Sequence, residues 1–260
     1  MVKKNNKNNK NIKISIICCT LNSEKTIINT LKSIKSQNFE DYEIIIIDGK
    51  SFDNTIKVID SFKFKNISIH QAKDKGVYYA MNKGIEKSQG DLVGYLNSDD
   101  YFVSKNILET IWNSYNSPKV LGVYADIAYV NSDHQQKRYW SSKITKKNPL
   151  NFGWIPPHPT FYCQRKILIN VGGFNTIYKL ASDYDLMLRI LKEYKVEKFE
   201  YIPKKFVNMM YGGLTNKNAY NIIRQNFEIF FSANSTLGTF PAFLMIFFRF
   251  FNKIKQKLIK

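Results

Sequence analysis

The sequence contains little cysteine, and this shortage excludes two classes of protein. Its 260 residues include three cysteines, Cys18, Cys19 and Cys163, and no CxxC spacing. A disulfide framework and a cysteine zinc site both need more cysteines at closer and more regular spacing. We therefore expect neither, and an odd number of cysteines is typical of a protein in a reducing compartment.

The sequence also lacks the two common glycine motifs that bind phosphate. It contains no GxxxxGK[ST] loop, and no GxGxxG follows an apolar run. Their absence argues against a P-loop enzyme and against a dinucleotide-dependent dehydrogenase. Any phosphate group would then need another partner. Lysines, or a metal ion held by acidic side chains, are the obvious substitutes.

Positive charge is abundant, but it does not identify a partner. The chain has 39 lysines and arginines against 21 aspartates and glutamates, a formal net charge of +18, and only five of the basic residues are arginines. Nucleic acid, an anionic membrane surface and an anionic substrate are all compatible with such a charge. The many asparagines and isoleucines beside the lysines indicate equally well an AT-rich coding sequence.

Short apolar runs alternate with helical periods between residues 12 and 100. Ile27, Leu31 and Ile34 recur at the spacing of a helix face, and similar periods follow residues 54 and 76. The runs are rich in β-branched residues, as in strands that are buried on both faces of a parallel sheet. This alternation predicts an α/β fold with a mostly parallel central sheet flanked by helices. The predicted strands are IKISIICCT, YEIIIID, ISIHQ and DLVGYL.

The composition divides the chain into three predicted regions. Residues 1–11 are polar and of low complexity, which predicts a disordered basic tail. Residues 12–211 contain the strand and helix pattern and form the predicted main domain. Residues 212–260 form a predicted helical extension with an amphipathic, basic end.

Two acidic sites stand just past predicted strands. Asp48 follows one run, and the adjacent Asp99 and Asp100 follow another. Because ligands of open α/β sheets bind at the carboxyl ends of strands, we expect these side chains at one rim of the sheet. An adjacent acidic pair is costly without positive charge nearby, so a metal ion, a helix cap near Ser104 and a solvated loop are the three explanations.

Five blocks of this chain, in the same order, resemble the motifs of bacterial family 2 glycosyltransferases with the Rossmann-like GT-A fold. The resemblance covers roughly residues 12–192. It implies an inverting, hexosyltransferase-type enzyme that moves a sugar from a nucleotide-sugar, with UDP as the expected nucleotide, to an acceptor hydroxyl. The blocks are SIICCTLNSEKTI, IIIIDGKSFDNT, KDKGVYYAMNKGIEKSQGDLVGYLNSDD, PPHPTFY and GGFNTIYKLASDYDLMLRI.

The resemblance also implies a set of donor-binding residues. Asp48 matches the aspartate that recognises uracil, and Lys83 is a candidate for binding phosphate. Asp53 belongs to the same turn as Asp48, but an aspartate before NT is also a good helix cap. The implied donor-binding residues are Thr20, Asn22, Glu24, Asp48, Ser51, Asp74, Asn82, Lys83, Asn97, Ser98 and Asp99.

The NSDD block matches the metal-binding DxD motif of the family, with one departure. Asn97 occupies the position of the first aspartate and brings no charge. Asp99 is then the expected ligand for Mn²⁺ or Mg²⁺, with Asp100 a weaker candidate and His158 a possible one. The metal would stabilise the negative charge that grows on the leaving nucleotide.

The acceptor hydroxyl needs a base on the other side of the sugar. The resemblance places the catalytic base at Asp183, at the start of the predicted helix DYDLMLRILKEY. Asp185 would either stabilise the first turn of that helix or contact the acceptor, because residues two apart do not share a helix face. Trp154 and His158 are further candidates on the acceptor side. Tyr78 and Tyr79 fit either stacking on the ligand or a place in the core.

The C-terminal segment predicts contact with a membrane surface. AFLMIFF is interrupted by Arg249 and falls short of the roughly 18 apolar residues that span a bilayer. With the lysine-rich residues that follow, it resembles a helix that lies in an anionic membrane interface. Packing back on the domain is the alternative. We therefore expect a lipid-linked or oligosaccharide acceptor, surface-polysaccharide assembly, and a cytoplasmic enzyme at the inner face of the plasma membrane.

Two other functions are compatible with part of the pattern. A nucleotidyltransferase also combines an α/β sheet, acidic metal ligands and a nucleotide, but it typically needs a glycine-rich phosphate loop. A nucleic-acid-binding module would explain the charge, but the basic residues are scattered and no binding motif accompanies them. We therefore predict no nucleic-acid partner.

Overall fold

The computed structural model describes residues 12–72, 75–212 and 219–258, with side chains in the last range as far as Arg249. The predicted tail over residues 1–11 and the predicted donor-binding Asp74 lie outside the described residues. The described chain forms one nine-stranded sheet with helices on both sides.

The sheet has a parallel half and a mixed half. The pairs β1–β2, β2–β3, β1–β4 and β6–β9 are parallel, whereas β8 runs antiparallel to β4 and β6, and β5 runs antiparallel to β9. The order is β3-β2-β1-β4-β8-β6-β9-β5, and β7 pairs with β6. The strands are β1 (Ile14–Thr20), β2 (Tyr42–Asp48), β3 (Ile67–Gln71), β4 (Leu92–Tyr95), β5 (Tyr101–Phe102), β6 (Gly122–Val130), β7 (Gln136–Trp140), β8 (Tyr162–Gln164) and β9 (Phe199–Met210).

Helices cover the two faces of the sheet. Those on one face bury residues such as Leu31 and Ile111 against β1, β2 and β6, and those on the other bury residues such as Met81, Leu188 and Ile229. The first face carries α1 (Ile27–Lys35), α2 (Thr55–Ser61) and α4 (Ile107–Tyr115), and the second carries α3 (Val77–Lys87), α5 (Arg165–Asn170), α6 (Ser182–Tyr194), α7 (Ala219–Leu237) and α8 (Thr239–Leu258).

The predicted α/β fold is confirmed, and the four apolar runs form β1 to β4 as a continuous parallel sheet. Every residue of β2 is buried, as the absence of polar alternation in YEIIIID predicts. The structure adds that the sheet is mixed, because the strands beyond β4 come from hairpins and long connections rather than from further strand–helix units.

Strand β9 was not predicted, although it lies inside the sheet between β6 and β5. Its sequence FEYIPKKFVNMM contains Pro203, which cannot donate a ladder hydrogen bond, and two lysines that break the apolar pattern. The pairing of β9 with β6 shifts register next to this proline, from Ala125 opposite Ile202 to Ile127 opposite Val207. A bulge therefore accommodates the proline.

The predicted helical extension is a hairpin of two helices that packs on the domain. Gly238, at φ +92°, joins α7 to α8. On its inner side α7 buries Ile229 and Ala233, and α8 buries Ala242 and Met245. No helix within the described ranges combines the length and apolar character that crossing a bilayer requires.

Candidate active site

The loops that follow β1, β2 and β4 meet at one rim of the sheet. Thr20 and Asp48, the last residues of β1 and β2, are register partners, and Gly49 donates a backbone hydrogen bond to the carbonyl of Thr20. The Oγ atoms of Ser23 and Ser98 are 2.9 Å apart, which joins the first loop to the loop after β4. The carboxyl ends of the strands therefore bring Thr20, Asp48 and Ser98 of the predicted donor set to one rim, as expected for an open α/β sheet.

Asp48 holds the turn that follows β2. Its side chain is 1% exposed, and it accepts hydrogen bonds from Ser51 Oγ at 2.6 Å and from the amides of Lys50 and Ser51, each at 3.0 Å. Lys50 adopts a left-handed φ of +68°, a conformation that such side-chain-to-backbone bonds help to stabilise. The carboxylate shapes this turn, whatever else it binds.

The first two loops are cross-linked by reciprocal hydrogen bonds. Asn22 donates its amide to Ser51 Oγ at 2.9 Å and accepts from the Phe52 amide at 3.0 Å. Glu24 Oε2 accepts from the amide and the side chain of Asn54 at 2.9 and 3.1 Å. These predicted donor residues thus form a preorganised wall.

The capping role of Asp53 is confirmed. Its Oδ1 accepts from the Thr55 amide at 3.0 Å and from Thr55 Oγ1 at 2.5 Å, at the start of α2. Its Oδ2 accepts from the Glu24 amide at 3.1 Å, so the same carboxylate also ties the two loops together. These hydrogen bonds lower the pKa of Asp53, although desolvation opposes them.

The two carboxylates of the NSDD turn lie in different surroundings. Asp100 is 2% exposed, and its oxygens accept from Asn97 Nδ2 at 3.2 Å and from the Met210 amide of β9 at 3.3 Å. Asp99 is partly exposed at the rim. Burial raises the pKa of both carboxyls, and the charge of Asp99 raises that of Asp100 further.

The helix-cap explanation for this acidic pair is wrong. Helix α4 begins at Ile107, and the residue before it, Asn106, accepts a hydrogen bond from Ser104 Oγ at 2.7 Å. Neither Asp99 nor Asp100 bonds an amide of that helix. The two carboxylates are partly desolvated, and their negative charges repel each other. A cation beside Asp99 would therefore lower the cost of keeping both carboxylates ionised.

The donor set fits a hard divalent cation bound through one carboxylate. Asp99 can offer oxygen, whereas both oxygens of Asp100 already accept hydrogen bonds, so Asp100 is the poorer ligand. Within the described residues, no group of three or more histidines, cysteines or acidic residues is arranged to hold a metal ion. Mg²⁺ and similar ions bind in this way when substrate phosphates complete the coordination shell.

Asp183 lies in the first turn of α6, at the end where backbone amides face outward. Tyr78 of α3 donates its hydroxyl to Asp183 Oδ1 at 3.1 Å, and its ring stacks on Phe174 at 5.6 Å. Burial and the charge of Asp183 raise the pKa of Tyr78 well above its usual value, so this hydroxyl remains a donor. Tyr78 was not predicted to be a partner of Asp183, because the two residues are 105 positions apart.

The start of α6 is held by a carboxylate from α7. Glu228 Oε2 accepts from the amides of Lys179, Leu180 and Ala181 at 3.0, 2.7 and 3.1 Å. Arg224, one turn earlier, donates to Glu228 Oε1 at 3.1 Å. This function of Glu228 was missed; the available signal was a lone glutamate in a helical stretch whose other charged residue is Arg224.

Asp185 is a structural anchor, which corrects its prediction as an acceptor-side residue. It is buried, accepts from Ser232 Oγ of α7 at 2.7 Å and forms an ion pair with Arg189 at 2.8 Å. Arg189 in turn donates to the carbonyls of Val171 and Gly173. Both carboxylate oxygens are thus engaged inside the protein.

Three further predicted residues have structural partners. Both ends of the Asn82 amide pair with the backbone of Phe174, at 2.7 and 2.8 Å, so Asn82 holds the loop before α6 rather than contacting a donor. Lys83 Nζ donates to the Gln71 carbonyl. Trp154 donates to the Ser142 carbonyl at 3.0 Å and packs edge-on against Tyr124, so it lies partly buried against the core.

His158 is buried in an aromatic cluster. Its ring stacks on Tyr95 at 4.7 Å and meets Phe174 edge-on at 5.7 Å. Burial lowers its pKa, although the charge of Asp183 opposes this shift, so the imidazole is neutral at pH 7. Its Nε2, Thr20 Oγ1 and Ser182 Oγ have no hydrogen-bond partner among the residues that the structure describes.

Comparison with known proteins identifies a single family. The family described as Glycosyl transferase family 2 matches residues 15–186. A UDP-Glc:alpha-D-GlcNAc-diphosphoundecaprenol beta-1,3-glucosyltransferase, WfaP of Escherichia coli, is 27% identical over 216 residues, covering 82% of this chain and 84% of that protein. A PGL/p-HBAD biosynthesis glycosyltransferase of Mycobacterium bovis is 26% identical over 208 residues, or 78% of each chain.

Solved structures share the fold. S. aureus TarS 1-349 in complex with UDP-GlcNAc superposes with a TM-score of 0.69 at 19% identity, over 91% of this chain and 71% of that one. The mannosyltransferase PcManGT from Pyrobaculum calidifontis, in complex with GDP-Man and Mn²⁺, has a TM-score of 0.62 at 15% identity, over 90% and 69% of the two chains.

Proposed function

This chain belongs to glycosyl transferase family 2 and is a glycosyltransferase, and from that premise we propose its reaction. It moves a sugar from a UDP-sugar to a hydroxyl of a lipid-linked glycan, with inversion at the anomeric carbon. Because the chain belongs to this family, the glycosyltransferase is preferred over the two alternative functions, the nucleotidyltransferase and the nucleic-acid-binding module. The observation that carries the proposal is the placement of Asp183 at the start of α6, hydrogen-bonded by a tyrosine that stays protonated.

Asp183 acts as the general base. Tyr78 occupies Oδ1 of Asp183, which orients the carboxylate and leaves Oδ2 for the acceptor hydroxyl. The hydroxyl proton passes to Asp183 as the acceptor oxygen bonds to the anomeric carbon, and the bond to the nucleotide phosphate breaks on the opposite face.

The rim of the sheet binds the donor. The cross-linked loops of Asn22, Glu24 and Ser51 form the wall beside the nucleotide, and the turn held by Asp48 binds the uracil ring. Thr20 Oγ1 lies at the end of β1 beside this turn and has no hydrogen-bond partner within the described part of the chain. Ser98 and Asn97 flank the diphosphate. Asp74, which lies outside the described residues, remains part of the proposed set.

A divalent cation, Mn²⁺ or Mg²⁺, bound by Asp99 would supply positive charge to the leaving diphosphate. The partly exposed Asp99 carboxylate supports this proposal, and PcManGT is a structural neighbour that was solved with Mn²⁺. His158 is the less suitable ligand, because its ring is enclosed by Tyr95 and Phe174. His158 instead helps to form the acceptor side of the site.

One structural neighbour and two relatives support the choice of donor and acceptor. TarS binds UDP-GlcNAc, and the name of WfaP describes a UDP-Glc donor and a diphosphoundecaprenol acceptor. A relative in Methanococcus voltae, 29% identical over 201 residues, is named for a dolichyl phosphate substrate. A lipid-linked acceptor places this enzyme at the cytoplasmic face of the plasma membrane, where the basic, aromatic α8 lies against the surface.

Calorimetric titration of UDP tests the donor site. We expect binding in Mn²⁺ that EDTA and Asp99→Ala each abolish, because the cation links the carboxylate to the diphosphate. Asp60→Ala, an exposed aspartate of α2, is the matched control and should bind as the wild type does. Binding that survives both EDTA and Asp99→Ala would overturn the metal proposal, and binding of GDP or dTDP in place of UDP would overturn the choice of nucleotide.

A further inference from the structure

The α7–α8 hairpin presents a continuous apolar surface outside the active site. Tyr220, Ile223, Phe227 and Phe231 recur at i, i+3, i+7 and i+11 along α7, and each is between 57% and 67% exposed. This spacing places all four on one face of the helix. The opposite face buries Ile229 and Ala233 against the domain.

Helix α8 carries a matching row. Phe240, Phe243 and Phe247 recur at i, i+3 and i+7 and are between 57% and 73% exposed. Phe243 packs against the tilted ring of Phe230 of α7 at 4.9 Å, and Phe230 packs edge-on against Phe231 at 5.9 Å, so the two rows are neighbours on the hairpin. We call the seven residues of both rows the aromatic face. An exposed apolar patch of this kind marks a surface that binds another apolar surface.

The charges around the aromatic face select an anionic occupant. Glu228 is the only acidic residue in either helix, and it points inward to the backbone of residues 179–181. Lys146 lies 4.2 Å from the ring of Phe248, beside Phe247, and its neighbours Lys143 and Lys147 are exposed. Three more lysines follow along α8 in the sequence. Apolar rings flanked by cations, on two helices whose one carboxylate points inward, match an anionic bilayer surface.

We propose that the aromatic face of α7 and α8 together docks this enzyme on an anionic phospholipid bilayer. A second copy of the chain is the poorer occupant, because two surfaces of the same positive sign would meet. The inference extends the membrane contact from α8 alone to both helices. It rests on the proposed function only for its lipid-linked acceptor, and lipid binding can be measured without the reaction.

The docked orientation places the bilayer on the side of the candidate base. The inner face of α7 holds the start of α6 through Glu228, Gln225 and Ser232, which bond residues 179–181, Leu180 and Asp185. One helix therefore contacts the membrane with its outer face and positions Asp183 with its inner face.

Cosedimentation of the full chain with vesicles tests the proposal. We expect strong binding to equal parts of phosphatidylglycerol and phosphatidylcholine, and weaker binding to phosphatidylcholine alone. The double variant Phe227→Ser/Phe231→Ser should weaken binding by at least about tenfold, because two rings no longer enter the interface. Phe243→Ser/Phe247→Ser should do the same. Phe52→Ser, an 88% exposed phenylalanine distant in sequence, is the control and should bind as the wild type does.

Three outcomes would overturn the proposal. Wild-type protein that binds neither vesicle excludes membrane docking, and a Phe227/Phe231 variant that binds fully excludes α7. A wild-type dimer that this variant converts to a monomer, with unchanged lipid binding, assigns the aromatic face to contact between copies. If the serine variants do not fold, Phe227→Trp should show a blue-shifted emission on adding the anionic vesicles, and an unshifted emission would contradict docking. UDP titration without vesicles tests the donor site separately.

Discussion

The donor-side turn and the start of α6 are both held by carboxylates, but the hydrogen-bonded residues differ in how far apart they are in the sequence. Asp48 bonds residues two and three positions later, and Asp53 bonds Thr55. Glu228, in contrast, bonds backbone amides 47 to 49 positions earlier, and Tyr78 reaches Asp183 over 105 positions. The donor turn thus depends on local sequence, whereas the base is positioned by the completed fold. Substitutions on the two sides should therefore separate nucleotide binding from transfer.

The largest effect is expected from Asp183→Asn. Loss of a general base lowers kcat by roughly a hundredfold or more, while UDP binding stays unchanged because the donor loops are untouched. UDP release with a lipid-linked acceptor measures the first quantity, and calorimetry measures the second. Asp60→Asn serves as the control. Retained transfer by Asp183→Asn would remove Asp183 from the reaction.

Glu228→Ala tests the remote support of the base. Three amides before α6 lose their charged acceptor, so we expect a loss of roughly 1–3 kcal/mol in the free energy of unfolding. Transfer should fall at temperatures where the protein is still folded, with UDP affinity preserved. Glu193→Ala, an exposed glutamate of α6, should change neither quantity. Equal losses of UDP binding and transfer would show that the two sides are not separable.

Tyr78→Phe removes a single hydrogen bond and keeps the stacking on Phe174. Because the bond is to a charged group, we expect kcat to fall by roughly tenfold, with little change in thermal stability. Tyr79→Phe is the adjacent control. A normal kcat in Tyr78→Phe would mean that the turn of α6 alone orients Asp183.

Ser51→Ala should have the smallest effect, and this effect should be on donor binding rather than on transfer. It removes one hydrogen bond to Asp48 and one from the Asn22 amide, so UDP affinity should fall by a few fold while kcat at saturating donor is preserved. Ser61→Ala, on the exposed end of α2, is the control. A fall in kcat with unchanged UDP affinity would contradict the division between the two sides.

Much of the donor side could be predicted from the sequence. The strands β1, β2 and β4 are apolar runs, and the residues that follow them necessarily meet at one rim, which brings Asp48 and Asp99 together. The prediction was weaker for individual contacts. Asn82 matched a donor position by its place in a motif, but its amide binds the backbone of Phe174, a partner that only the folded chain supplies.

Two aspartates of α6 have the same side chain but different roles, because their surroundings differ. Asp183 and Asp185 are two positions apart on α6, and the sequence predicted Asp183 as the base and Asp185 either as a stabiliser of the first helical turn or as a contact of the acceptor. In the structure Asp185 bonds Ser232 and Arg189, whereas Asp183 accepts a hydrogen bond from Tyr78. The helical rotation between them separates an anchor from a candidate base.

The sequence by itself determined the parallel half of the sheet and the family, because β-branched runs buried on both faces and motifs in a set order depend on local pattern. The tertiary structure alone decided the place of β9, the support of Asp183 by Tyr78 and Glu228, and the shared outward face of α7 and α8. Each of these joins segments distant along the chain, and such contacts arise only when packing brings the segments together.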